Sequence, residues 1–173
     1  MKHAIISYLG KNKPKLITSI TSKLTDLGGE FSGVTFATLG RACELTMVYS
    51  KPNNMEIEEI KHELQNIEPC KDGEFNVNAF HLDDESGPTT KITHRIILSG
   101  EDQKGLLHKI INTLDENSAV IVRMNTEKIT FPDNTQYISR FAIAVREDNA
   151  PKCLSEIVKV AGQMKLTFRY ETS

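Results

Sequence analysis

The chain repeats itself, and the repeat limits what it can fold into. Ile6–Leu24 (ISYLGKNKPKLITSITSKL) returns without a gap ninety positions later as Ile96–Leu114 (IILSGEDQKGLLHKIINTL). Ile6/Ile96, Gly10/Gly100, Leu16/Leu106, Ile20/Ile110 and Leu24/Leu114 coincide. In each copy a strand-like run meets a glycine, then a short polar loop, then a helix-like run. Self-similarity at a fixed spacing divides the 173 residues into two units of one plan. Units of about 80 residues bury a limited core, so further burial between units or between chains is expected.

Composition removes several classes of function. Net charge is −2 and the pI about 6.2, with no basic stripe of the kind that binds nucleic acid. The densest basic stretch, Lys11, Lys13 and Lys15, falls in one loop. Tryptophan is absent, which weakens any base-stacking surface. No apolar run approaches the roughly 20 residues of a membrane span, and the N-terminus reads as a first strand rather than a signal peptide. Three cysteines without CxxC spacing fit free thiols in a reducing cytosol. HKIIN and HELQN lack the second histidine of a zinc helix, and no cofactor motif or catalytic constellation stands out. Cys43 shares a strand face with Leu45 and Met47, a core position, and His108 reads as exposed.

Periodicity predicts the same element order twice. His3–Leu9 alternates as a strand, and Lys13–Leu27 carries Leu16, Ile17, Ile20, Leu24 and Leu27 on one helix face. Asn12 is the expected N-cap, and Gly28-Gly29 the stop. Strands follow at Glu30–Leu39 and Arg41–Ser50 around Gly40. A helix bearing Ile57, Ile60, Leu64 and Ile67 comes next, capped from Lys51–Asn54, then a strand over Glu74–Leu82. The second half reads as strand His94–Ser99, helix Gln103–Asn117, strands Ala119–Ile129 and Gln136–Arg146, a helix from Asp148–Pro151, and strand Lys165–Tyr170. The expected fold is α+β: two ferredoxin-like βαββαβ domains with antiparallel sheets and helices on one face. Domain bounds are 1–82 and 92–173, joined by an acidic, Gly-Pro-containing linker over 83–91.

The loop between first strand and first helix has a chemical logic. A glycine-containing turn into a helix leaves backbone N–H groups unpaired and pointing outward, and the helix dipole adds partial positive charge there. In the second half this loop holds Gly100, Asp102, Gln103, Lys104, Gly105 and Leu106. Asp102 either caps the helix or accepts from a ligand ammonium. Gly105 either permits tight helix–strand packing or lets a ligand approach. Amides for a carboxylate and an acid for an ammonium suit a zwitterion. In the first half Gly10, Asn12, Lys13 and Pro14 form a degenerate copy, with Lys15 in place of Gly105.

A βαββαβ unit with Gly-x-Asp-x-x-Gly at this loop resembles the ACT domain, a regulatory amino-acid-binding module. The run Phe31–Gly40 (FSGVTFATLG) is similar to the second strand of the glycine cleavage repressor subfamily, tandem ACT proteins without a DNA-binding domain. The resemblance implies a non-catalytic, cytoplasmic regulatory protein without cofactor or metal. It implies a small amino acid such as glycine bound at the loop where ACT units meet, a homodimer, and action on transcription through a DNA-binding partner protein. An interaction or dimerisation module that needs no ligand stays open beside it, as does a detached regulatory part of an amino-acid or folate enzyme.

Overall fold

The computed structural model describes residues 2–81 and 91–173. The chain divides into two compact units, Met1–Asp84 and Glu85–Ser173. The expected linker lies, Lys91 apart, outside the described residues.

The first unit runs β1 (Lys2–Lys11), α1 (Leu16–Asp26), β2 (Glu30–Leu39), β3 (Ala42–Lys51), α2 (Ile57–Gln65), a single 3-10 turn at Glu68–Cys70, and β4 (Glu74–Phe80). Its sheet has the order β2-β3-β1-β4, antiparallel throughout. The second unit runs β5 (His94–Glu101), α3 (Leu106–Glu116), β6 (Val120–Thr130), β7 (Thr135–Ala144), α4 (Ala150–Gln163) and β8 (Thr167–Thr172), with order β6-β7-β5-β8. Both are ferredoxin-like βαββαβ units.

Alternation decides which strand face is buried. Ala4, Ile6 and Tyr8 on β1, with Cys43, Leu45, Met47 and Tyr49 on β3, point into a core closed by Leu16, Ile20 and Leu24 of α1 and Ile60 and Leu64 of α2. The second core gathers Ile96 and Leu98, then Tyr137, Phe141 and Ile143, under Leu106, Ile110 and Leu114 of α3 and Cys153 and Ile157 of α4. The expectation that Cys43 is a core residue holds, since it is fully buried. The edge strands carry equivalent bulges, at Ser32 between Phe31 and Gly33 and at Val122 between Ile121 and Arg123.

The repeat extends to backbone angles that the sequence hides. Both first helices begin after a left-handed residue, Lys15 (φ 64°) and Gly105 (φ 77°). Both are followed by another, Gly28 (φ 82°) and Ser118 (φ 54°). Glycine, which suits this region, occupies the end of α1 and the start of α3. Lysine and serine hold the other two places against a steric cost of roughly 1 kcal/mol each.

Candidate functional site

The two loops are built alike, and neither is capped as expected. The helices start at Leu16 and Leu106, three residues later than the spacing predicts, and no side chain caps either start. Leu106 N–H donates to the Gln103 carbonyl (3.2 Å) and Lys109 N–H to that of Gly105 (3.0 Å), as Leu16 and Ser19 do to Lys13 and Lys15. The amides of a first helical turn have no partner within their own helix. This corrects the reading of Asn12 and Asp102 as caps: the left-handed turn carries the chain past them before helical bonds begin.

Freed from capping, those side chains tie each loop to its hairpin. Asn12 Nδ2 donates to Thr38 Oγ1 on β2 (3.4 Å). Asp102 Oδ2 accepts from Lys128 Nζ on β6 (2.8 Å). In both units the partner lies twenty-six residues on. The next residue ties the loop to the opposite side. Lys13 Nζ pairs with Asp72 (2.7 Å), in the turn before β4. Gln103 Nε2 donates to the Met164 carbonyl (2.6 Å), just before β8. The first unit thus has its ionic tie on the β4 side, the second on the β6 side. The hydrogen bond from Lys13, reinforced by its charge, holds the Asp72 carboxyl below the usual range. The hydrogen bond to Asp102, then its charge, holds the Lys128 ammonium above its usual range, with Tyr137 acting in the same direction.

The glycines of the two loops serve different needs. A Cβ on Gly105 would meet nothing within 4 Å. Tight packing is therefore not its reason; positive φ is. Gly10 is different, because a Cβ there would overlap the Tyr8 hydroxyl and press on the backbone of Gly73. At Gly100 it would press on Leu166. Lys104 and Pro14 are exposed on their loops, Asp102 is half-buried, and Leu106 anchors the turn in the core.

One residue that sequence reasoning missed lies at this end of the second sheet. Tyr137 stands across from Gly100 on β5 and from Lys128 on β6. It is 3% exposed, and its hydroxyl has no hydrogen-bond partner among the described residues. An unpaired buried hydroxyl costs about 1–3 kcal/mol. Two residues along the strand, the buried Ser139 hydroxyl is paired with Thr126 Oγ1 (3.0 Å). In the first unit Cys43 fills the place opposite Gly10, so the repeat offered no signal for Tyr137. Tyr8 is also buried and unpaired there.

Other features sit away from the loops. An open groove of about 460 Å³ runs between α3 and the start of β6, lined by His108, Ile111, Asp115 and Val120 among others. His108 is exposed, as expected. Asn117 caps the end of α3, its Nδ2 donating to the Thr113 carbonyl (2.8 Å). Among the described residues no three His, Cys, Asp or Glu side chains gather to hold a metal, and no helix is long and apolar enough to cross a membrane.

Solved structures share the tandem arrangement. A protein described as unknown, from Galdieria sulphuraria, is similar with a TM-score of 0.80 and 14% identity, over 99% of this chain and 98% of that one. A "putative glycine cleavage system transcriptional repressor" is similar with a TM-score of 0.72 and 14% identity, over 99% and 97%. Identities this low establish the fold alone. No protein-family model and no curated protein matches the sequence.

Proposed function

We propose that the chain is a non-catalytic regulatory protein of two ACT-like domains that responds to a small amino acid at the Gly100–Leu106 loop. The observation that carries this reading is the uncapped first turn of α3 beside a half-buried acid whose partner, Lys128, is an exposed and exchangeable ammonium. The amides receive the ligand carboxylate. Asp102 receives its ammonium once Lys128 gives way, while Gln103, Lys104 and Gly105 shape the turn. The degenerate loop of Gly10, Asn12, Lys13 and Pro14 has a neutral Asn12 in place of the acid, and binds no zwitterion.

The full-length structural likeness to the repressor supports transcriptional control of glycine cleavage or amino-acid metabolism as the setting. In that setting the protein acts in the cytoplasm through a DNA-binding partner protein, and glycine is the first ligand to try. Response follows from linkage: the ligand favours the arrangement it fits, by its differential affinity and no more.

Calorimetry with glycine, L-serine and the other amino acids tests the reading. Heat with one of them, lost in Gly105→Lys, is the expected result. That variant copies the turn the first unit already adopts with Lys15, so it keeps the fold. No heat with any amino acid at millimolar concentration removes the ligand.

A second reading rests on the hairpin strands. Val34, Phe36 and Leu39 on β2, and Met124 and Ile129 on β6, are exposed apolar side chains on unpaired sheet edges. An interaction or homodimerisation module would use them without any ligand. Gly105→Lys leaves partner binding untouched under this reading.

A further inference from the structure

Of the two buried tyrosine hydroxyls without a partner among the described residues, one has no room for one. Tyr8 is boxed by Gly10 and Gly73, where a single added carbon at either would overlap its ring. Tyr137 is placed otherwise. A Cβ added at Gly100 meets Leu166 and Lys165 before the Tyr137 ring, and its strand neighbours are parts of the loop site: Gly100 on one side and Lys128, the partner of Asp102, on the other. It alternates with Ser139, Phe141 and Ile143, so it points to the face that carries α3. Two residues before it, the Thr135 carbonyl accepts from Asp102 N–H (3.1 Å), which holds the loop over this end of the sheet.

We propose that Tyr137 is a specificity-determining residue of the loop site, its hydroxyl donating to a carboxylate oxygen of the bound amino acid. This rests on the amino-acid reading of the loop and adds a buried contact to it. Donors border this end of the sheet: the first-turn amides of α3, the Lys128 ammonium and the Tyr137 O–H. Donors of this kind suit an anion, and Asp102, the acid of the loop, holds Lys128 until a ligand takes its place. The hydroxyl is closed to solvent in the free chain. A ligand therefore reaches it by lifting the loop, which breaks the Asp102–Lys128 contact together with the Asp102 N–H bond to Thr135 and the Gln103 bond to Met164.

The test is Tyr137→Phe in the full chain, with Tyr8→Phe as its control, measured by thermal denaturation and by calorimetry with glycine and L-serine. Tyr137→Phe should leave the free protein as stable as before or more so, because it removes an unpaired group. It should weaken amino-acid binding about tenfold, the worth of one hydrogen bond to a charged group. Tyr8→Phe should leave binding unchanged. A lower melting temperature for free Tyr137→Phe shows that the hydroxyl is already bonded and overturns the proposal. Binding to Tyr137→Phe as tight as to the wild type overturns it while leaving the loop reading intact. Absence of binding to the wild type overturns both.

Discussion

Lys128 Nζ reaches across from β6 to Asp102 in the loop before α3, at 2.8 Å, and repeats with charge what Thr38 and Asn12 do without it. A charged tie answers to pH and salt, and a neutral one does not. The Lys128 ammonium is held above its ordinary range, so its stabilisation is complete at neutral pH. It is lost as pH rises past the usual lysine value of about 10.4 and through the raised one. The melting temperature of Lys128→Met should fall slightly below that of the wild type at pH 7, and the gap should close at alkaline pH and in about 1 M salt. A gap that salt leaves untouched would mean that packing, not charge, joins the two residues.

The four left-handed residues flanking α1 and α3 give a test with opposite signs. Lys15→Gly should stabilise the first unit by about 1 kcal/mol, and Gly105→Ala should cost the second a similar amount. Urea denaturation of the two variants reads both. Equal signs would show that side-chain contacts rather than φ set the preference at these turns.

Tyr49 and Tyr8 share one core and differ in their hydroxyls. Tyr49 donates to the Leu24 carbonyl at 2.8 Å, buried, near the end of α1. Tyr49→Phe leaves that carbonyl without its partner and should destabilise by about 1–2 kcal/mol. Tyr8→Phe has no bond to lose, so its melting temperature should hold or rise. Reversed effects in a thermal scan would show that a bond to Tyr8 exists in solution.

The three thiols are buried, and burial pushes each one's pKa up, that of Cys70 to about 11. Alkylation of the native protein at neutral pH should be slow at Cys43, Cys70 and Cys153, and complete once denaturant unfolds the chain. Stability should decline between the usual thiol range near pH 8.5 and about 11, because the unfolded chain ionises first. Rapid native labelling at any of the three would show a local opening of its core.

Much of the fold was legible in the residues, and the reason is local. The repeat marked two units, and the alternation of Cys43, Leu45, Met47 and Tyr49 marked their buried face, because both signals lie within a few residues of each other. The loop was harder. Asn12 and Asp102 look like caps by proximity to the apolar run, yet a left-handed residue at position 15 or 105 postpones the helix, and lysine gives no hint of that conformation. Their true partners, Thr38 and Lys128, are neighbours through the sheet register, which the repeat implies and does not display. Tyr137 was out of reach for another reason: an unpaired hydroxyl is a property of the surroundings, not of the letter.

The bulges at Ser32 and Val122 bear on how far such chains can associate. An unpaired margin of a sheet is a template that a second strand can copy, and the second can serve a third. Here the template loses step near its beginning. An incoming strand can follow the straight run from Gly33, or from Arg123, and falls out of phase behind it. A ladder along either margin is therefore confined to the run beyond the bulge, which leaves a shorter edge to copy.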